Sequence, residues 1–79
     1  MARLIMAHFE LNTRRLLCPT PVIRTQDKIK NLVKGDTLTV VSTDPGALSD
    51  IPTWCRINAH EIVSSETIDD EVFITIVVN

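Results

Sequence analysis

Apolar residues recur at every second position near both ends of the chain, which is the period of a β-strand. The strictest alternation occupies residues 72–78, and a looser one occupies residues 4–11. Two further strands are predicted at residues 37–43 and 61–66, with Asp69-Asp70 as the turn before the last strand. In the last strand, one face carries Val72, Ile74, Ile76 and Val78, and the other carries Phe73, Thr75 and Val77. In the first strand, one candidate face carries Ile5, Ala7, Phe9 and Leu11.

The first stretch of helical period runs from Pro19 or Pro21 to Lys34, and Gly35 follows as a natural C-terminal stop. Because proline fixes φ near a helical value and has no N–H to leave unpaired, both prolines favour a helix start here. The predicted apolar stripe contains Val22, Gln26, Ile29 and Val33, widened by Ile23 and Leu32.

A second helix is predicted after Asp44-Pro45-Gly46, with Asp44 as its N-cap and Pro45 at its first position. Pro52 lies inside this segment and should kink it or mark a new first turn, for which Asp50 is a candidate cap. Trp54 and Cys55 continue the helical spacing and are expected in the core.

The predicted order is therefore β-α-β-α-β-β. Since strand–helix–strand connections are right-handed, both helices should cover the same face of a four-stranded mixed sheet. The expected fold class is α+β, a two-layer α/β sandwich formed by a single domain over residues 1–79. The opposite sheet face would hold Phe73 and Val77 without an obvious cover, where a second copy or a partner could bind.

Charge is divided unevenly along the 79 residues, although the net charge is only −2. Residues 1–35 carry seven cations and two acids, whereas residues 36–79 carry one cation and eight acids. Such asymmetry can mark a docking surface, and it can equally disperse over a solvated surface after folding. With one tryptophan, no tyrosine and net negative charge, direct nucleic-acid binding is not expected.

No apolar run is long enough to cross a bilayer, and the start of the chain lacks the features of a signal peptide. We therefore expect a cytoplasmic protein without membrane contact. The two cysteines are too few for a disulfide scaffold. Because no C-x-x-C or H-x₃-H spacing is present, we do not expect a metal site. We also expect no cofactor.

Cys18 is the principal candidate for chemistry, because it precedes the first predicted helix in the tetrapeptide Cys18-Pro19-Thr20-Pro21. A helix N-terminus and nearby cations both lower the pKa of a thiol, and the thiolate is the reactive species. The nearby cations are Arg14, Arg15, Arg24 and Lys28. The alternative is that Cys18 is a buried small hydrophobe, the usual role of a free cysteine.

His8 and His60 are the two histidines, and no motif places either as a base beside Cys18. A small chain also has little room for a deep substrate pocket. An exposed thiolate without a pocket suits transfer between proteins, in which Cys18 accepts a sulfur atom as a persulfide. Cys55 is expected to be structural, and a Cys18–Cys55 redox switch remains an alternative.

Residues 16–22, Leu-Leu-Cys-Pro-Thr-Pro-Val, resemble the Cys-Pro-x-Pro signature of the TusA/SirA-like sulfur carriers. Further blocks similar to that family follow in the expected order, so the resemblance extends from about residue 9 to 78. These blocks are Gly35-Asp36-Thr37-Leu38, Asp44-Pro45-Gly46-Ala47, Asp50-Ile51-Pro52-Thr53-Trp54-Cys55 and His60-Glu61.

The resemblance implies a βαβαββ sandwich in which Cys18 takes persulfide sulfur from a cysteine desulfurase. The sulfur would then pass to a downstream relay protein, foremost for 2-thiouridine in tRNA. Related members imply sulfur oxidation, molybdenum-cofactor synthesis or selenium metabolism as alternative pathways. The protein would thus be a sulfurtransferase as a persulfide carrier, without stand-alone turnover of small molecules. Pro19 and Pro21 would support the site structurally; the alternative is a non-catalytic regulatory or interaction module.

The segment before the cysteine departs from the family pattern Asp-x-Arg-Gly-Leu. Asn12 replaces the aspartate, and Arg15 replaces the glycine. Loss of the glycine is expected to change the loop backbone, and the added cation is expected to alter the choice of partner. We predict that Arg14, Arg15, Arg24 and Lys28 form the docking surface for the donor.

Overall fold

The computed structural model describes residues 7–79, so the predicted strand residues 4–6 lie outside the described part. The elements are β1 (His8–Thr13), α1 (Thr20–Ile29), β2 (Thr37–Ser42), α2 (Ala47–Ile57), β3 (Glu61–Ile68) and β4 (Glu71–Val77). This is the predicted order, and the two helices pack on one face of a four-stranded mixed sheet.

The strands lie in the order β1-β2-β4-β3 across the sheet. β1 pairs with β2 in parallel, and both pairings of β4 are antiparallel. β3 and β4 are joined by Asp69-Asp70, as predicted, and both residues have positive φ, 50° and 64°. Positive φ at both central positions is what a two-residue type I′ hairpin requires.

The hydrophobic core lies between the sheet and the helices, and the two central strands contribute five of its ten buried residues. Val40 on the helix-covered face is fully buried, and its neighbour Val41 on the other face is 6 % exposed. Phe73 and Val77, also on the other face, are half-buried. The buried core residues are Ile29, Leu38, Val40, Ala47, Ile51, Cys55, Val72, Ile74, Ile76 and Val78.

The first helix ends earlier than predicted, at Ile29 rather than Lys34. Beyond Lys30, the next two backbone amides donate to the carbonyl three residues earlier instead of four, so the α-helical pattern stops. The predicted stripe is confirmed for Ile29, which is buried, and for Val22 and Leu32, which pack against the core. It was wrong for Gln26, Ile23 and Val33, which are exposed, and it missed the buried residues Pro21 and Thr25. Thr25 can be buried because its hydroxyl donates to the carbonyl of Pro21 at 2.8 Å.

The second helix begins two residues later than predicted, with Gly46 at the N-cap, and it continues through Pro52 without a new start. Asp50 therefore lies in the first turn and caps no second helix. The helix ends in a Schellman motif: the amide of His60 donates to the carbonyl of Cys55, and Ala59 has a φ of 63°. The ring of His60 then stacks on Trp54, with centroids 5.5 Å apart.

Candidate active site at the start of the first helix

Cys18 lies in the turn immediately before α1, with Pro19 as the N-cap and Pro21 in the first helical turn. The thiol is half-buried and packs against the edge of the core, and it is free of any disulfide. The two prolines thus lie where the sequence predicted, and Cys18 as a whole residue is partly exposed.

Asp44 holds the cysteine loop against the start of α2. Its Oδ2 accepts the backbone amide of Cys18 at 2.8 Å, and its Oδ1 accepts the amide of Gly46 at 2.9 Å. The hydroxyl of Ser42 in turn accepts the amide of Asp44 at 3.0 Å. One carboxylate therefore links the loop after β1 to the loop after β2, and these hydrogen bonds lower the pKa of Asp44.

The carboxylates of Asp50 and Asp44 influence the Cys18 thiol. Burial is the main reason that the pKa of the Cys18 thiol rises to about 12, and hydrogen bonding to Asp50 and Asp44 adds to it. The predicted lowering of this pKa is therefore wrong for the free protein, in which the thiol keeps its proton at neutral pH. The helix begins beside Cys18, as predicted. However, the charged side chains that influence the thiol are negative, and they raise its pKa instead of lowering it.

Two of the predicted docking cations already have partners within the chain. Arg14 makes a two-point ion pair with Glu71, at 2.7 and 3.0 Å, which lowers the pKa of that carboxyl. The ammonium of Lys28 lies 5.1 Å from the centre of the Phe9 ring, a cation–π distance. Arg15 and Arg24 are exposed, on the loop before Cys18 and on α1 respectively.

Arg15 occupies a left-handed backbone conformation, with φ of 66°. Its amide donates to the hydroxyl of Thr43 at 2.8 Å, which anchors this turn to the segment after β2. A glycine adopts such a φ without strain. The loop therefore has the backbone that glycine would favour, with an arginine side chain added at the surface.

An open groove of about 500 Å³ lies between α1 and α2 and reaches the residue after Cys18. Its lining is mostly apolar, and Asp50 supplies the charged group. The lining residues are Pro19, Val22, Ser49, Asp50, Thr53, Trp54 and Ile57.

Both histidines are engaged elsewhere, as expected. His8 Nδ1 lies 2.6 Å from the hydroxyl of Thr37, and His60 Nδ1 accepts the amide of Asn79 at 3.1 Å. The predicted burial of Cys55 is confirmed, because its exposed fraction is 0 %. In residues 7–79, no helix is long and apolar enough to cross a membrane.

The sequence missed the roles of Asp44 and Asp50, which were interpreted only as caps. A signal for Asp44 was available, because neighbouring parallel strands end at the same sheet edge. Thr13 at the end of β1 pairs with Ser42 at the end of β2. The loops carrying Cys18 and Asp44 therefore had to be neighbours.

Fold and site together define a small two-layer sandwich with a half-buried cysteine at a loop–helix junction. The family described as sulfurtransferase TusA matches residues 9–79. The SirA-like protein of Desulfitobacterium hafniense has a similar structure, with a TM-score of 0.79 and 20 % sequence identity. That similarity covers 87 % of this chain and 95 % of the other and supports the fold. The chain belongs to the TusA sulfurtransferase family, and sulfur transfer is the activity of that class.

Proposed function

We propose that the protein is a sulfur carrier that accepts a persulfide sulfur on Cys18 from a cysteine desulfurase and passes it to a relay protein. The supporting observation is the half-buried Cys18 thiol at the loop–helix junction, held through its amide by Asp44. The pathway that we favour is 2-thiouridine modification of tRNA, with sulfur oxidation, molybdenum-cofactor synthesis and selenium metabolism as alternatives. Both cysteines are free, as expected in the reducing cytoplasm, where we place the protein.

Transfer between proteins suits the shape of this site. The groove beside Cys18 is open rather than enclosed, and it offers apolar side chains to a partner segment. Leu17, next to the cysteine, is 76 % exposed, and Ile57 at the far end of the groove is also 76 % exposed. Apolar residues displayed around a reactive group fit a protein partner better than a small substrate.

The docking of the donor is assigned to the basic residues near Cys18. Arg15 and Arg24 are exposed and free to meet an acidic patch on the donor. Arg14 and Lys28 have intramolecular partners, so their contribution to docking requires those contacts to open or to be shared.

The test is loading by a cysteine desulfurase with cysteine as the sulfur source, followed by intact mass. Wild-type protein and Cys55→Ala should each gain one sulfur atom, and Cys18→Ser should gain none. Failure of the wild type with several desulfurases would reject the carrier function. Equal complementation by wild type and Cys18→Ser would instead favour a non-catalytic regulatory module, and a Cys18–Cys55 disulfide under mild oxidant would favour a redox switch.

A further inference from the structure

We propose that the sheet face turned away from the helices is a docking surface for a protein partner with a basic surface, separate from the Cys18 site. We call it the open face, because both helices and the buried core lie on the opposite side of the sheet. Within residues 7–79, no further element covers it. The inference goes beyond sulfur transfer and does not depend on the carrier function.

The centre of the open face lies on β2 and β4 and is partly apolar. Val41 pairs with Phe73 in the register of these strands, and Thr39 pairs with Thr75. Phe73 and Val77 are half-buried, so part of each residue remains exposed. The two threonine hydroxyls lie 2.9 Å apart, within hydrogen-bond distance of each other. A partner that covers the centre therefore gains apolar contact without leaving these hydroxyls unpaired.

The rim of the open face is acidic on both outer strands. Glu10 lies on the outer strand β1. On the other outer strand, β3, Glu61 pairs with Val77 and Glu66 pairs with Phe73. All three glutamates are exposed. Among residues 7–79, neither glutamate of β3 takes part in an ion pair.

The cation on the open face is already engaged. Arg14 forms its two-point ion pair with Glu71, the first residue of β4. The charge of Glu10 also helps to raise the pKa of Arg14. One guanidinium thus serves two carboxylates, and within residues 7–79 the two glutamates of β3 have none. The open face therefore carries a net negative charge.

This charge determines which kind of partner fits the open face. A protein surface with lysines or arginines around an apolar centre complements it, and the rim charges then steer the approach. Nucleic acids and anionic lipid surfaces are repelled, because both are negatively charged. A second copy docked face to face would bring glutamates against glutamates, since a two-fold contact pairs a patch with itself.

A second copy docked through its own basic helix fits less well than a different protein. Arg24 is exposed on α1, whose first turn follows Cys18 directly. Copies joined by this helix would cover the start of α1, and a contact between two different patches forms open chains. A different protein on the open face leaves Cys18 and the α1–α2 groove uncovered, because both lie on the helical side of the sheet.

The experiment follows the isotope-labelled protein by NMR while a short peptide of leucine and lysine, patterned as an amphipathic helix, is added at low ionic strength. The peptide should shift the amides of β2, β3 and β4, foremost those of Val41, Phe73 and Thr75. Its affinity should fall as salt is added. The same peptide with glutamate in place of lysine should cause no shifts.

A double variant tests the acidic rim. Glu61→Gln with Glu66→Gln should weaken binding of the lysine peptide by about 3- to 10-fold, because each exposed ion pair contributes modestly. Asp69→Asn with Asp70→Asn is the matched control, since it also removes two negative charges but lies in the turn beyond the open face. Asparagine tolerates the positive φ of both positions, and this control should bind nearly as tightly as the wild type.

Four outcomes would overturn the proposal: shifts confined to the α1–α2 groove, equal binding of the two peptides, equal weakening in the two double variants, or no binding. Self-association of the free protein that Glu61→Gln with Glu66→Gln abolishes would also overturn it, because the occupant would then be a second copy. Loading of Cys18 from glutathione persulfide is measured on the same proteins and should be equal in all of them. Absence of loading from all of them, and from a desulfurase, would reject the carrier function and leave the docking surface standing.

Discussion

The backbone amide of Cys18 donates a hydrogen bond of 2.8 Å to the side chain of Asp44, across 26 positions of sequence. The same carboxylate accepts the amide of Gly46 at the start of α2. The position of the reactive residue is therefore set by a residue on a different loop. Changes at Asp44 should affect the fold and the thiol together.

Asp44→Ala should lower the thermal midpoint by several degrees, because two backbone amides lose their acceptor. The folded state lowers the pKa of Asp44 from its ordinary value of 3.8, so its stabilising contribution is present above that pH. This contribution is lost as the pH falls through the lower pKa of the folded state. Between pH 2 and 7, the thermal midpoint should fall less with acid in Asp44→Ala than in the wild type. Parallel plots of midpoint against pH for the two proteins would contradict this role of Asp44.

Arg15→Gly should make the free protein more stable. The left-handed conformation at φ of 66° costs a non-glycine residue roughly 1–2 kcal/mol. Part of the gain is offset by the backbone entropy of glycine, about 0.5–1 kcal/mol, so we expect a net gain of about 0.5–1 kcal/mol in chemical denaturation.

Ala59→Gly is the matched control for Arg15→Gly, since Ala59 has a similar φ of 63° but lies at the end of α2. Both variants should gain stability, and Arg15→Gly alone should slow loading by a desulfurase. Arg15→Lys should retain the loading rate. Unchanged loading in Arg15→Gly would remove Arg15 from the docking surface.

Arg24→Glu should slow loading by a desulfurase at low ionic strength by about tenfold, because electrostatic steering changes association rates by 10- to 1,000-fold. The difference should narrow as salt is added. Loading from glutathione persulfide should not change, since no protein partner docks. Lys34→Glu makes the same charge change at an exposed position beyond α1 and serves as the comparison. If Lys34→Glu slows loading equally, the effect of Arg24→Glu reflects net charge and not docking at Arg24.

Alkylation of Cys18 by iodoacetamide should speed up about tenfold per pH unit from pH 7 upward and level off only near the thiol pKa of about 12. Cys55, fully buried in α2, should stay unmodified while the protein is folded. Peptide mass after timed alkylation measures both rates. A plateau for Cys18 below pH 8 would show that the free protein holds a thiolate, contrary to the raised pKa that burial and the nearby carboxylates produce.

The element order and the β3–β4 turn could be predicted from the sequence because they depend on local signals. Strict alternation identifies β4, and the paired aspartates at 69 and 70 mark the turn. The burial of Thr25 in α1 could not be predicted in this way. Thr25 counts as polar in a sequence, but its hydroxyl is satisfied by the carbonyl of Pro21, and it can be buried.

The electrostatic character of the site could not be predicted from neighbours along the chain. Arg14 is four residues from Cys18 in sequence, but its guanidinium binds Glu71 on β4. Asp44 is distant in sequence, yet its carboxylate binds the amide of Cys18. Burial is the main cause of the raised thiol pKa, and the carboxylates that add to it come from residues distant in sequence.

The location of the transferred sulfur tests the central claim most directly. After loading by a desulfurase, the protein is blocked with an alkylating reagent, digested without reductant and mapped by peptide mass. The account predicts one additional sulfur atom on the peptide that contains Cys18, and none on the peptide that contains Cys55. Additional sulfur on Cys55, or on neither cysteine, would contradict it.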